Sequence, residues 1–467
     1  MIITIINTIN WLILIYFILL SFGYILLLIA SIPDLFIQFK QVEIGNIISL
    51  MKSSSLPPVT MIIPAYNEEK NILETINSII KSQYPNIFII VVNAGSTDHT
   101  LQKLIAAFNL EKVTPLIEQK IITLENLRAY YTSPTYKNIT VLDKALKDRG
   151  DAFNMGVNAC RTPLFITIDA DSLIESDAVS LIAFQMLSQP NTVALGGAVY
   201  IINGCVFENG KIIEAKMSLN PIHAFQTCEY LRSFLFSRAG CNPLGGALCY
   251  SGTFTLFQLS AVVEVGGFAV HNLAQDFEII TRLQANKIAA KTPYQIRYTT
   301  APTVWTEVPG TLKVYWRQRF NWQYYSLQSI VPYYKMLFNP KYKILGLFIY
   351  PFYLFGEILG VLVEFSAYFL LFTSWYLGIL NTQMAILFFV ICWGFTIFLT
   401  MATALMNFIT YNKYRRIRDI GWIFFFSIIE IFGFRQFNVI CRMAATCQFA
   451  VDKIKNVFRP LHRSNPG

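Results

Sequence analysis

The chain has 467 residues, of which 54% are hydrophobic and only 14% charged, with a formal net charge of +9. Two or three domains are the default at that length, and so apolar a chain is not an ordinary soluble protein. The apolar residues concentrate near the N-terminus and after about residue 340, which predicts a water-facing part held between membrane segments.

The basic residues cluster at Lys413, Arg415, Arg416 and Arg418, and again at Lys453, Lys455, Arg459 and Arg463. Such clusters beside apolar runs mark cytoplasmic loops. The water-facing part carries no basic stripe, so nucleic acid is not an expected partner. The eight cysteines form no C-x-x-C pair and there are four histidines, which fits small buried hydrophobes in a reducing compartment rather than a zinc site.

Residues 5–32 form an uncharged apolar run, too long for a signal-peptide core and followed by no small-residue cleavage site. We read one transmembrane helix, and Lys40 and Lys52 after it place the next domain in the cytoplasm. Residues 52–58, Lys-Ser-Ser-Ser-Leu-Pro-Pro, form a linker. Residues 59–63 are a strand, and Pro64, Ala65, Tyr66, Asn67 and Glu68 open a helix that runs to about Ser82. Residues 87–92 are a second strand, followed by Asn93, Gly95, Ser96, Thr97, Asp98 and another helix. Strand, polar loop and helix in repetition predict a parallel α/β sheet, with ligands beyond the carboxyl ends of its strands.

The most informative stretch is Phe165-Ile-Thr-Ile-Asp169-Ala-Asp171-Ser172. It reads as a buried strand with two carboxylates at its end. In an extended backbone residues i and i+2 face the same side, so Asp169 and Asp171 converge. Two anions that close favour a hard divalent cation, magnesium or manganese, which commonly brings phosphate oxygens with it. Ahead of this strand, residues 148–156 read as a helix start, with Arg149 either reaching an anion or lying solvated.

From residue 190 the pattern is mixed. Gly196 and Gly197 follow a strand-like run. Residues 221–240 read as an amphipathic helix, at the membrane surface or in a core. Gly245, Gly246 and Gly252 allow close backbone approach to a substrate. Gln275 and Asp276 open a helix, where a carboxylate often serves as a cap. Residues 311–332 form a helix dense in aromatics and cations, including Gln318, Arg319 and Trp322, suited to a membrane interface or to sugars and phosphates. After residue 340 we expect an interfacial stretch and one span within 345–376, a clear span over 384–408, and a re-entrant or interfacial pair over 420–451. Glu357, Glu364 and Glu430 are expected to face a bundle interior rather than lipid.

At this point the chain resembles the membrane-embedded, inverting family 2 glycosyltransferases with a GT-A domain, a group that includes cellulose, hyaluronan and poly-N-acetylglucosamine synthases. The resemblance covers roughly residues 57–335. Ala65 to Glu68 stand at the first nucleotide-binding loop and Gly95 to Asp98 at the second. Arg149 to Asn154 stand where the family has a basic residue ahead of Ala-Leu-Asn. Asp169 and Asp171 match the metal motif, and Ser251 to Thr253 an acceptor loop. Gln275 and Asp276 stand at the Glu-Asp catalytic pair. Gln318 to Trp322 resemble Gln-x-x-Arg-Trp. Three departures remove charge: Asn93-Ala94 replaces an Asp-Asp pair, Gln275 replaces Glu, and Asn321 replaces Arg.

The resemblance implies a GT-A α/β domain with a mixed, mostly parallel sheet. It divides the chain into a transmembrane helix and linker (1–52), a cytoplasmic transferase domain (53–310), an amphipathic interface helix (311–340), transmembrane and interfacial helices (341–452) and a basic tail (453–467). It implies an enzyme that moves a sugar from a UDP-sugar to a growing polysaccharide at the cytoplasmic face of the inner membrane. Asp276 would be the general base, and Asp169 and Asp171 would hold magnesium or manganese. Ala65, Tyr66, Glu68, Asn93, Arg149, Asp169, Gln318, Arg319 and Trp322 would bind the nucleotide sugar and acceptor. Membrane lipids and an accessory export subunit are the further partners implied. Single transfer to a lipid, or a non-catalytic assembly subunit, are the alternatives.

Overall fold

A computed structural model describes residues 2–43, 56–114, 117–410, 413–414 and 416–458. Most of the 52–58 linker and the end of the basic tail lie outside the described residues. A ten-stranded mixed sheet forms the centre of the water-facing part, in the order β3-β4-β5-β2-β1-β6-β11-β8-β12-β7. Its strands are β1 (Val59–Ala65), β2 (Ile87–Ala94), β3 (Glu111–Val113), β4 (Ala129–Thr132), β5 (Ile139–Lys144), β6 (Leu164–Ile168), β7 (Leu173–Ile174), β8 (Thr192–Ile201), β11 (Phe254–Gln258) and β12 (Gln295–Thr306). A separate hairpin pairs β9 (Val206–Glu208) with β10 (Lys211–Glu214).

The block β5-β2-β1-β6 is parallel throughout. Its strands are continuous apolar runs because helices cover both faces and leave no wet side to alternate toward. β6 is buried along its whole length. Helices α2 (Ile72–Ile80), α3 (Thr100–Phe108), α4 (Arg149–Ala159) and α5 (Ala178–Ser188) follow strands of this sheet. In α2 the buried Ile72, Ile76 and Ile79 recur at helical spacing and lie against the sheet. The Asp148 side chain caps α4 by accepting from the Asp151 amide at 2.8 Å. Asp151 also forms a fully buried ion pair with Lys144, which ties the helix start to the end of β5.

One expectation changes here, and one pair of alternatives is decided by packing. Gly196 and Gly197 do not follow a strand but lie inside β8, where a Cβ on Gly196 would meet the Tyr250 ring at 2.9 Å. The 221–240 stretch takes the core alternative. It is α6 (Pro221–Arg232) followed by a π-helical turn (Ser233–Ser237), packed among β8 and the long apolar helices. Phe225 stacks on Phe434 with centroids 4.4 Å apart, so the aromatic residues that suggested an interface fill a core.

Among the described residues, three helices have the length and composition to cross a membrane: Ile6–Ile37, Leu345–Tyr376 and Thr382–Ile409. The first lies within α1 (Ile2–Glu43). The second is one continuous helical run. Its first half is wound as π-helix at Leu345–Ile349 and Phe352–Ile358, and its second half is α9 (Gly360–Tyr376). Pro351 lacks an amide donor, which disfavours regular α-winding there.

The remaining helices are α7 (Gln275–Ala289), α8 (Leu312–Ile330), α10 (Thr382–Thr410), α11 (Ile417–Ile429) and α12 (Phe434–Phe458). The last two are bent by 61° at a short break, the geometry expected of a re-entrant or broken pair. The acidic residues among these helices face inward as expected. Glu430 pairs with Arg232 at 2.9 Å, Glu364 pairs with Arg435, and Glu357 accepts from Tyr24.

Candidate functional site

The parallel register brings the ends of three strands level. Ala65 of β1 lies beside Asn93 of β2, and Asn93 lies beside Asp143 of β5. The loops that leave these strands are joined by hydrogen bonds. The Asn67 amide donates to Ser96 Oγ at 3.0 Å, and Asn67 Oδ1 accepts from the Thr97 amide at 2.8 Å. Tyr66 lies beneath Lys147, whose Nζ is 3.5 Å from the ring centre. Gly95 turns the second loop at φ +71°, and a Cβ there would stand 2.1 Å from the Ala145 carbonyl oxygen. Gly95→Ala is expected to destabilise the fold by more than about 1 kcal/mol. Thermal unfolding checks this.

Asn93 is 3% exposed. Its Nδ2 donates to Asp143 Oδ1 at 2.7 Å, and its Oδ1 is buried with no protein partner.

The Asp169–Asp171 geometry differs from the expected extended alternation. β6 ends at Ile168, and the next residues form a tight turn closed by the Ser172 amide donating to the Asp169 carbonyl at 3.2 Å. The two side chains meet different neighbours. Asp169 is ion-paired with Arg149, the first residue of α4, and accepts from Thr253 Oγ1 at 2.7 Å. Asp171 accepts from Thr306 Oγ1 at 3.3 Å, which in turn accepts from Ser172 Oγ at 2.8 Å. Burial, with Asp169 and Glu307 nearby, pushes the Asp171 carboxyl up to about 7. Burial also pushes Glu68 up to about 7, reinforced by Asp171, Asp169 and Glu307. Four carboxylates therefore crowd one edge of the sheet, a charge arrangement that suits a divalent cation. Among the described residues no three His, Cys, Asp or Glu side chains are gathered closely enough to hold a metal by themselves. A cation here would draw its remaining ligands from phosphate or water.

Asp276 lies in the first turn of α7 and is not its N-cap, a position taken by Ala274. Its Oδ2 accepts from the Gly252 amide at 3.2 Å. Burial raises its pKa, and the charges of Arg149 and Arg238 partly offset that rise. Neighbouring residues of one loop thus touch both acidic centres, Thr253 on Asp169 and Gly252 on Asp276. Arg149 stands between the two centres, since a Cβ on Gly252 would meet its Nη2 at 3.3 Å and the Asp276 Cβ at 3.5 Å. Gln275 is 2% exposed, and its Nε2 has no protein partner.

On α8, Arg319 is 4% exposed and sandwiched between the rings of Tyr315 and Trp322, with centroids 4.7 and 4.5 Å from its guanidinium carbon. Its Nη1 is committed to Glu229 of α6, while Nε and Nη2 are buried without a protein partner. Those two atoms form the edge of a guanidinium that binds a carboxylate or phosphate bidentately. Gln318 Oε1 is likewise unpartnered, and Trp322 keeps an exposed face. Tyr230 lies within electrostatic reach of both Arg319 and Asp171, which puts α8 in the neighbourhood of the acidic turn. Behind Glu229, between α1, α6, α10 and α12, lies a cavity of about 230 Å³ lined by Tyr24, Arg232, Glu357, Thr396 and Arg435.

The expected residues thus lie at the carboxyl ends of β1, β2 and β6 and in the loops that follow them, in the first turns of α4 and α7, and on α8. Sequence reasoning missed Asp143, Lys147, Glu229 and Glu307. Asp143 was detectable, because residues 139–143, Ile-Thr-Val-Leu-Asp, are an apolar run closed by a polar residue, as residues 87–93 and 165–169 are.

Two family models match the chain, "Glycosyl transferase family 2" over residues 60–266 and "Glycosyl transferase family group 2" over residues 164–429. The poly-beta-1,6-N-acetyl-D-glucosamine synthase of Staphylococcus epidermidis is 26% identical over 63% of this chain and 60% of its own length. That of Staphylococcus aureus (strain COL) is 25% identical over 57% of this chain and 54% of its own. The chain therefore matches less than two thirds of the length of these relatives. Among solved structures, the Pyrobaculum calidifontis mannosyltransferase PcManGT, in complex with GDP-Man and Mn2+, is 16% identical with a TM-score of 0.49, over 88% of this chain and 99% of that one. S. aureus TarS 1-349, in complex with UDP-GlcNAc, is 14% identical with a TM-score of 0.37, over 81% and 92%.

Proposed function

Because the chain belongs to the family 2 glycosyltransferases, we propose that it transfers a sugar, with inversion, from a nucleoside-diphosphate sugar to a growing polysaccharide. In this reading the donor is UDP-linked, transfer occurs at the cytoplasmic face of the cell membrane, and the polymer leaves through the helical bundle. The observation that carries it is the pair of contacts from one loop, Thr253 on Asp169 and Gly252 on Asp276, with Arg149 between them. An inverting transfer needs diphosphate binding and a general base within one sugar's reach of each other, and the contacts of this loop to Asp169 and Asp276 support that arrangement.

Asp276 accepts the proton of the acceptor hydroxyl as that oxygen attacks the anomeric carbon from the face opposite the leaving diphosphate. Asp169 and Asp171 would hold a magnesium or manganese ion, which would supply charge neutralisation at the diphosphate. Arg319 offers Nε and Nη2 to the same phosphates, and Glu229 fixes its guanidinium in place. The exposed face of Trp322 is available to stack on the acceptor sugar. The cavity of about 230 Å³ behind Glu229 supports a route into the membrane.

A base must be ionised to accept a proton, and burial raises the Asp276 pKa above its ordinary value of 3.8. The rate is therefore expected to fall with decreasing pH while still above the ordinary carboxylate range. A kcat/KM profile in detergent measures this, and a plateau down to pH about 4 would contradict the assignment.

Release of nucleoside diphosphate by purified protein tests the whole reading. UDP-GlcNAc, UDP-Glc, UDP-GlcA, UDP-Gal and GDP-Man are supplied singly and in pairs, with and without chelator. Turnover that is lost on chelation and gives a product ladder supports the polymer synthase. A product confined to the organic phase points to single transfer to a lipid. No turnover with any donor, in protein that binds nucleotide, points to an assembly subunit.

A further inference from the structure

We infer that Asp143 is the positioning residue that sets nucleobase specificity, by fixing the Asn93 amide so that its Oδ1 receives a ring N–H of the base. This rests on the nucleotide-sugar reading above and goes beyond it, since none of the resembling motifs contains Asp143.

The argument begins with which atoms can donate. A carboxylate only accepts, so the 2.7 Å contact between Asn93 and Asp143 Oδ1 must be made by an Asn93 N–H. That settles the orientation of the amide by chemistry. Nδ2 faces β5, and Oδ1 is the atom left over. Oδ1 is buried in a residue 3% exposed, at the carboxyl end of a parallel strand, and has no partner in the protein. A buried carbonyl without a partner is costly, and at such a strand end the partner is a ligand. Ala65 and Tyr66 adjoin it across β1, and Lys147 covers the Tyr66 ring at 3.5 Å.

An isolated asparagine is ambiguous, because its amide flips to suit either a donor or an acceptor. The Asp143 carboxylate removes that freedom. The site then accepts a hydrogen bond and cannot offer one from Oδ1. Uracil N3 and guanine N1 carry a ring hydrogen and satisfy it. Cytosine N3 and adenine N1 are bare lone pairs and face the oxygen with repulsion. The Asn93-Ala94 replacement of the family's acidic pair thus retains an acceptor, supplied by an amide whose direction a neighbouring strand dictates.

The test is calorimetric binding of UDP, GDP, CDP and ADP to the full-length protein in detergent, with magnesium. The wild type is expected to bind UDP, GDP or both about 10- to 100-fold more tightly than CDP and ADP, the ratio set by one unsatisfied buried acceptor. The separate UDP and GDP titrations distinguish the two bases that share the ring N–H. Asp143→Asn frees the Asn93 amide to flip and is expected to bring CDP within about threefold of UDP. The exchanged pair, Asn93→Asp with Asp143→Asn, again leaves a directed acceptor at position 93 and is expected to restore the preference.

Equal binding of CDP and UDP by the wild type overturns the inference. So does an Asp143→Asn protein that weakens all four nucleotides equally, which is the signature of a structural role. Folded protein that binds none of the four overturns the nucleotide-sugar reading itself, and the inference with it.

Discussion

Asp276→Asn is expected to reduce sugar transfer by about 10²–10⁴-fold while leaving nucleotide affinity nearly unchanged. The substitution preserves shape and keeps an oxygen that accepts from the Gly252 amide, the 3.2 Å contact that fixes the 251–253 loop. It removes the ability to take a proton. Because burial disfavours the charged form of this carboxyl, an amide there is easily tolerated and the fold should remain intact. The measurement is diphosphate release in parallel with a binding titration. Near-wild-type turnover would remove Asp276 from the reaction. Loss of binding and turnover together would instead make Gly252 and Arg149 the affected groups, since both lie beside Asp276.

Much of this arrangement was legible in the sequence because it lies at the ends of apolar strands. The 165–168 run could only be a buried strand, and any polar residue directly after it had to emerge at the sheet edge. The same rule located Tyr66 and Asn93. It failed for Asp143 only because β5 was not read as a strand. The local shape of Asp169–Asp171 was not legible. Two carboxylates one residue apart converge through a turn as readily as through an extended chain, and periodicity does not separate the two. Nor could sequence show that Arg149 pairs with Asp169, since that contact joins the first residue of α4 to the turn after β6. The same holds for Arg319, whose partner Glu229 is distant in sequence. Residues 221–240 were ambiguous for a different reason. Aromatic residues that suit a membrane interface also suit a core shared by the sheet and the membrane helices, and only the packing of α6 against α10 and α11 decides between them.

The acidic edge makes the other large prediction, in which activity and stability move in opposite directions. In the protein alone, Asp171 shares its surroundings with Asp169, Glu68 and Glu307, and its carboxyl is held up to about 7. At pH 8 Asp171 and Glu68 are above the pH at which they lose their protons, and their charges repel. Asp171→Asn removes one of them, keeps the shape and leaves an oxygen to accept from Thr306. The metal-free variant is therefore expected to melt at a higher temperature than the metal-free wild type. The same change deprives a divalent cation of a charged ligand. If the cation supplies several kcal/mol at the diphosphate, transfer should fall by about 10²–10³-fold or more. Added manganese should raise the melting temperature of the wild type and not that of the variant. Melting curves at pH 8, with manganese and with chelator, read the stability half of this prediction, and diphosphate release reads the other. A variant that melts lower than wild type in chelator would mean that Asp171 is held by hydrogen bonds that outweigh the repulsion. A variant still stabilised by manganese would mean that the cation is bound elsewhere, and the assignment of the Asp169–Asp171 turn as its site would fall.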